Sequence, residues 1–354
     1  RPPRVLLLQY PFPIPVGWFQ VRWSDELAPG DVRPLFYFDE HLVAWRDVEG
    51  EVHVQEAFCP HLGAHLGHGG KVRGCQLECP FHGWTFDAEG ANAEIPYAER
   101  TNKKARLRTY PVTEVNGLIM AWYHPDEKAP LWEIPELEPF TATEGYSEVT
   151  HKSYEIGAHW QELAENGVDS AHFRYVHDTA EVPVLEKYEA DGHHSKMRSV
   201  QQYVTPQGTT EGRIDVDSFG PGLSFVRFSG IVDTFLMGCN TPLSDDACVM
   251  RFTFVVRDIG EGTGTVGEAF VAEIDKQVEE DRPVWENKAH LVRPALASTD
   301  GPFMKFRKWA SQFYAEGVDD RTEVWAPDDA RWDDLKDYVQ RPKGTAAARH
   351  GDRA

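Results

Sequence analysis

"CPHLGAHLGHGG", residues 59–70, places three histidines and one cysteine within twelve residues. "CQLECPFHGW", residues 75–84, follows after four residues. Cys59-Pro-His61 is a Cys-x-His pair and Cys79-Pro-Phe-His82 a Cys-x-x-His pair, with seventeen residues between His61 and Cys79. Two thiolates and two imidazoles can hold a zinc ion. They can also hold a 2Fe–2S cluster, with both sulfurs on one iron and both imidazoles on the other. One cysteine and one histidine in each loop suits the second arrangement, because each loop then supplies one ligand to each iron. Glycines at 63, 67, 69, 70, 74 and 83 let the two loops bend closely around such a cluster. His65 and His68 fall outside the spacing and read as loop histidines. Cys75 lacks the Cys-x-x-His spacing and reads as structural.

The rest of the chain sets the frame around these loops. Its 354 residues suffice for two domains or one large one. A formal charge of −21 argues against nucleic acid or an anionic membrane as a general partner. No stretch is apolar for long enough to span a bilayer, and no secretory pattern is found. Five cysteines are an odd number, and two lie in histidine clusters. That favours metal binding in a reducing compartment over a disulfide framework, so a cytoplasmic location is expected.

Residues 1–15 are proline-rich and are expected to form an N-terminal arm. From 16 to 125, short β-type runs such as "GWFQVRW", "HLVAWRD" and "NGLIMAWY" alternate with turns and predict a small all-β domain. The proline-rich "PDEKAPLWEIPELEPF", residues 125–140, marks a boundary. Residues 126–340 read as a second domain, with helices over 158–172 and 271–293. Between these lie alternating stretches, "LSFVRFSGIV" and "CVMRFTFVVRD", that predict antiparallel strands. The pattern is α+β. Residues 341–354 are expected to be a mobile tail.

A second polar constellation lies in "ELAENGVDSAHFRYVHDTA", residues 162–180. Asn166, Asp169 and His172 recur every three residues and are predicted to share one helix face. His177 follows His172 by five residues, about 140° away on an unbroken helix. Both reach one ion only if the helix ends or bulges between them. In "FVAEIDKQVEEDRPVWENKAHL", residues 270–291, Ile274, Val278 and Trp285 have helical spacing, and Asp281 takes the missing place in their stripe. An unpaired carboxylate on an apolar face is costly, and coordination to a cation removes the difficulty. Pro283 is predicted to distort this helix. Glu279, Glu280 and Asp300 are the rival carboxylates.

"CPHLGA…CPFHGW" resembles the Rieske iron–sulfur motif. The resemblance implies that Cys59 and Cys79 ligate one iron and His61 and His82 the other. Rieske proteins of respiratory and photosynthetic complexes carry an extra cysteine in each loop, forming a disulfide. Ala64 and Phe81 stand at those positions here, which suits the oxygenase branch. "N-x-x-D-x-x-H-x-x-x-x-H", residues 166–177, resembles the mononuclear iron motif of Rieske non-haem oxygenases. By that resemblance His172, His177 and Asp281 form a 2-His-1-carboxylate facial triad. Asn166 and Asp169, in the same motif, are the expected catalytic residues beside it. Asp169 would bridge a cluster histidine of one subunit to an iron histidine of the next in a head-to-tail homotrimer.

Residues 17–46, 71–97, 116–137 and 300–314 are similar to the steroid-handling branch, the 3-ketosteroid 9α-hydroxylase oxygenase components and the cholesterol 7-desaturases. The implied fold is an N-terminal all-β Rieske domain and a C-terminal catalytic domain, an antiparallel sheet flanked by helices of helix-grip type. The implied function is that of a terminal oxygenase. It would use O2 and electrons from a ferredoxin or flavin reductase to hydroxylate a steroid or similar polycyclic lipid. The implied cofactors are one 2Fe–2S Rieske cluster and one mononuclear non-haem Fe(II). Desaturation or oxidative demethylation with the same metals is the alternative outcome. An electron-transfer protein without oxygenase activity is the remoter one. "RTNKKARLR", residues 100–108, is basic within an acidic chain and could dock an acidic ferredoxin-like partner. Residues 180–270, where much of a substrate pocket is expected, carry no recognisable motif.

Overall fold

The computed structural model describes residues 12–205, 208–291, 293–314 and 339–340. Most of the expected N-terminal arm and all of the expected tail lie outside the described residues.

The N-terminal half holds three small antiparallel sheets. The first joins Gly17–Trp23, Leu118–Tyr123 and Val112–Val115. Its hairpin turns on Asn116-Gly117, both at positive φ, the pairing that a two-residue turn between twisted strands favours. The second contains Val32–Tyr37, Glu40–Arg46, Val52–Glu56 and Thr109–Tyr110. The third, Lys71–Arg73, Gln76–Glu78, Thr85–Phe86 and Asn92–Glu94, carries the cysteine-histidine loops. Trp45, Leu66, Leu77 and Phe86 are fully buried beneath those loops, in a core shared with Cys59 and Cys79.

The second half is built on one seven-stranded antiparallel sheet. Its spatial order is Thr150–Ile156, Ala247–Val256, Thr234–Ser244, Ser224–Ser229, Gly208–Phe219, His194–Thr205 and Val184–Asp191. One face packs on the first N-terminal sheet. Trp23 Nε1 donates to Thr253 Oγ1 at 2.9 Å, and Arg251 Nη1 and Thr241 Oγ1 both donate to the Gln20 carbonyl at 3.1 and 2.7 Å. A single apolar core runs through this contact, from Trp18 and Phe19 to Phe225, Phe235 and Met237. The opposite face is covered by Trp160–Glu165 and by the long helix Thr263–Trp285.

Two helices depart from the sequence expectation. The early one ends at Glu165 and passes into a 3-10 turn, Asn166–Val168. Asp169 is then extended, and a new single turn begins at His172. Asn166, Asp169 and His172 therefore share no continuous helix face. The reason is local. The Asp169 carboxylate accepts the backbone N–H groups of Ala171 and His172, at 3.1 and 3.3 Å, and so caps a new turn instead of continuing the old one. The late helix starts at Thr263 rather than 271 and stops at Trp285. Pro283 stands in its last turn, where the missing N–H removes only the end of the ladder, and the helix ends two residues later.

Candidate functional site

The two cysteine-histidine loops share one backbone design. Cys59 N–H donates to the Ala64 carbonyl, and Gly63 N–H returns to the Cys59 carbonyl, both at 2.9 Å. Cys79 N–H donates to the Trp84 carbonyl at 2.8 Å, and Gly83 N–H returns to Cys79 at 3.0 Å. Gly63 and Gly83 sit at φ +75° and +71°, which a side chain resists. The repeated turn presents both cysteines inward, each 2 % exposed. The His61 and His82 rings stand beside one another, with centroids 4.7 Å apart. Trp84 stacks on His61 at 4.4 Å and 5°, and its Nε1 donates to the Tyr97 hydroxyl at 2.7 Å.

Burial pushes the Cys59 thiol up to about 11; the His61 N–H opposes the rise and the neighbouring Cys79 adds to it. A cation beside such a buried thiol favours its thiolate, and iron supplies one. Two sulfurs and two imidazoles from paired loops therefore fit a Rieske-type cluster. All five cysteines are free thiols, so neither loop carries a disulfide. His65 packs against His41, Phe58 and His68. Cys75 is exposed in a hairpin turn and packs into no core.

The second constellation converges across two separate elements. Ligand atoms of His172, His177 and Asp281 lie within 4.8 Å of one another, the only such group of metal-ligating side chains among the described residues. His172 opens a four-residue helix, and His177 follows its end. That interruption is the one their spacing requires. His172 directs Nδ1 at the Asp169 carbonyl, 2.5 Å away, and His177 directs Nδ1 at Glu280 Oε2, 2.9 Å away. Each ring thus donates outward and keeps an Nε2 lone pair for the interior. His177 Nε2 lies 3.4 Å from Asp281 Oδ2. Asn166 Nδ2 donates to the same Oδ2 at 3.2 Å and stands 3.4 Å from His172 Nε2.

Asp281 is 6 % exposed and faces two imidazoles and an amide. Burial pushes its carboxyl up, against the pull of His172, His177 and Asn166. Burial also pushes the His172 imidazole down, toward the neutral form that ligates. A buried acid beside two inward-facing imidazole nitrogens is the donor set of a facial triad. Of the rivals, Glu280 reaches the far nitrogen of His177, Glu279 pairs with Arg282 on the surface, and Asp300 caps an exposed turn.

A cavity of about 240 Å³ opens from this group between the helices and the sheet. Its floor uses alternate residues of the long strands, among them Met197, Val216, Val226, Leu236 and Phe252. These positions were not legible in the sequence, although the two-residue period was. The stretch 218–232 divides between two roles: Ser218, Ser224, Val226 and Phe228 face the cavity, while Phe219, Leu223 and Phe225 fill the core behind. Asn240 lines the cavity with its Oδ1 buried and unpartnered.

Comparison with known proteins agrees with this anatomy. Residues 17–111 match the Rieske [2Fe-2S] domain, and residues 121–314 match the 3-ketosteroid 9alpha-hydroxylase C-terminal domain. The chain is 32 % identical over 336 residues to the cholesterol 7-desaturase of Caenorhabditis elegans, covering 85 % of this chain and 77 % of that one. It is 30 % identical over 320 residues to a 3-ketosteroid-9-alpha-monooxygenase oxygenase component of Rhodococcus rhodochrous, covering 85 % and 84 %. Dicamba monooxygenase bound to dicamba shares the fold, with a TM-score of 0.68 at 20 % identity over 84 % of this chain and 96 % of that one. No described helix is long and apolar enough to cross a membrane. The chain belongs to the Rieske non-haem iron oxygenase components of the 3-ketosteroid 9α-hydroxylase and cholesterol 7-desaturase family, enzymes that carry a 2Fe–2S cluster and a mononuclear iron and use O2.

Proposed function

We propose that this chain is the terminal oxygenase of a Rieske system acting on a steroid or similar polycyclic lipid, with hydroxylation as its reaction. The observation that carries the reading is the convergence of His172, His177 and Asp281 at an apolar cavity. Cys59, His61, Cys79 and His82 would hold the cluster, and His172, His177 and Asp281 the mononuclear iron. When bound, the cluster supplies electrons one at a time and the iron supplies the site of O2 activation. The functional division would fall near residue 125, between a cluster domain of 16–125 and a catalytic domain of 126–340, in keeping with the two family matches.

The chain's own residues do the rest. Asp169 orients the His172 imidazole from outside through its backbone carbonyl. Asn166 holds the Asp281 carboxylate by its amide and crowds the space between that carboxylate and His172. Val278, Trp285, Phe252 and Leu236 exclude water from the cavity and select an apolar substrate. Asn240 offers an unpaired acceptor, its Oδ1, that can orient a substrate carrying a hydroxyl group.

Electrons would come from a ferredoxin or flavin reductase. Assembly would be a homotrimer in which Asp169 bridges to a cluster histidine of the neighbouring subunit. In support, the Asp169 side chain is about a third exposed while its carboxylate lies 4.0 Å from His172 Nδ1. A cytoplasmic location accords with five free thiols.

The test is turnover of 3-ketosteroids beside 3β-hydroxysterols, with a surrogate ferredoxin and reductase and products read by mass. Gain of one oxygen on a 3-ketosteroid supports the hydroxylase. Loss of two hydrogens from a 3β-hydroxysterol makes the chain a desaturase, the second reading, which the similarity to cholesterol 7-desaturases favours. No product from either class, with both iron sites filled, removes the steroid assignment.

A further inference from the structure

The two histidines of the proposed iron site are held differently. His172 gives its outer N–H to a backbone carbonyl, that of Asp169. His177 gives its own to a carboxylate, Glu280 Oε2, at 2.9 Å. Glu280 and Asp281 are consecutive residues of the helix Thr263–Trp285, yet both touch the same imidazole. The ring is bracketed, with Glu280 on Nδ1 and Asp281 3.4 Å from Nε2. Neighbours on a helix point about 100° apart, so one ring wedged between them meets both.

This contact is anchored at each end. The His177 side chain is 1 % exposed, so its ring has no water to turn toward. The second oxygen of Glu280 lies 3.4 Å from Lys276 Nζ, one helical turn earlier. Glu280 is 30 % exposed and therefore stands at the rim of the site, outside the ligand set.

We propose that Glu280 is a positioning residue for the mononuclear metal. Resting on the iron site proposed above, it fixes the His177 tautomer with the proton on Nδ1, and its charge makes Nε2 the more strongly donating of the two imidazole nitrogens. A carboxylate acceptor polarises an imidazole further than a carbonyl does, and loss of such a partner typically weakens metal binding 10–100-fold. The glutamate that the sequence leaves as a rival ligand thus acts through the histidine instead of on the metal.

The test uses the full chain with its cluster in place and the mononuclear site emptied by chelation. Co(II) alone is titrated in, and its visible d–d bands report both affinity and ligand field. Wild type is compared with Glu280→Ala, Glu280→Gln and Asp281→Ala. The proposal expects Glu280→Ala to weaken Co(II) about 10–100-fold and to shift the bands. Glu280→Gln keeps an acceptor for the Nδ1 proton and recovers part of the affinity, which a merely structural contact would not require. Equal melting temperatures of the emptied proteins separate this from misfolding. Wild-type Co(II) binding by Glu280→Ala, with binding lost in Asp281→Ala, overturns the positioning role and leaves the iron site standing. Co(II) binding that Asp281→Ala does not change overturns both.

Discussion

Asp217→Asn probes the sheet on which the cavity rests. Asp217 is fully buried near the end of the strand Gly208–Phe219. His194 Nε2 lies 2.8 Å from its Oδ1, while Arg198 Nη2 and Arg227 Nη1 lie 3.0 and 2.8 Å from its Oδ2. Burial alone pushes this carboxyl up, but the His194 hydrogen bond and the charges of Arg227 and Arg198 outweigh it and hold it well below the usual carboxylate range. Each such charge pair is worth roughly 4 kcal/mol at 4 Å in a medium of effective dielectric about 20, much of it offset by desolvation. Asparagine keeps the shape and removes the charge, leaving two guanidinium groups facing each other in the interior. Breaking a buried pair in this way costs about 3–5 kcal/mol, a large share of the roughly 5–15 kcal/mol that a domain has in total. At roughly 2–4 °C per kcal/mol the melting temperature falls about 6–20 °C. A depressed folded pKa contributes stability that is present above the unfolded value of about 3.9 and is lost as pH falls through the folded value. The gap between wild type and variant should therefore hold from pH 7 to about 5 and narrow below about 4. Guanidinium unfolding followed by tryptophan fluorescence measures it. A loss under about 1 kcal/mol at neutral pH, or a gap indifferent to acid, would refute the reasoning.

Asp281→Ala should lower the iron content from about three to about two per two sulfides while the red-brown colour persists, and three irons retained would dismiss Asp281 as a ligand. Gly222→Ala sets a Cβ 1.8 Å from the Trp18 carbonyl oxygen, so the contact between sheet and lobe must shift; a loss of about 1–3 kcal/mol in thermal unfolding is expected, and an unchanged melting curve contradicts it. Lys103→Glu with Lys104→Glu should slow cluster reduction by an acidic donor at low salt and have little effect at high salt; equal rates at low salt would remove the docking role. Asn240→Leu deletes a buried unpartnered acceptor, so stability should hold or rise while KM for a hydroxyl-bearing substrate rises about 5–100-fold; an unaltered KM rules out that contact.

What the sequence disclosed follows from how local each signal is. The cluster loops were legible because all four candidate ligands fall within 24 residues and the glycines between them mark the turns. Asp281 stood out as a candidate ligand because an acid at the missing place of an apolar helix stripe would be relieved by a cation. The break at Asp169 was not, since three-residue spacing looks the same on a helix and across a cap. Only the aspartate's hydrogen bonds to Ala171 and His172 distinguish them. Glu280 stood in the sequence only as a rival ligand for a similar reason. Its role depends on which nitrogen of a distant ring it meets.

The cavity was hidden by a deeper ambiguity. Alternation identifies a strand by contrasting a wet face with a dry one. Here both faces of the seven-stranded sheet are covered, one by the N-terminal lobe and the other by helices over the cavity. Polarity then ceases to label a face. Ser218 and Ser224 line the cavity, and their hydroxyls stand 3.0 Å apart. Asp217 and Arg227, far more polar, lie on the opposite face against the core. That inversion is tolerable because each set closes on itself: the serines pair across strands, and the ions neutralise one another. A buried charge that finds its counter-charge on a neighbouring strand carries no hydropathy signature. The face it occupies becomes evident only with the pairing register, in which Asp215 stands opposite Arg227 and Asp217 opposite Phe225. Arg227 therefore reaches Asp217 diagonally between adjacent strands, and the cavity takes the intervening positions, Val216 and Val226, which stand directly opposite each other.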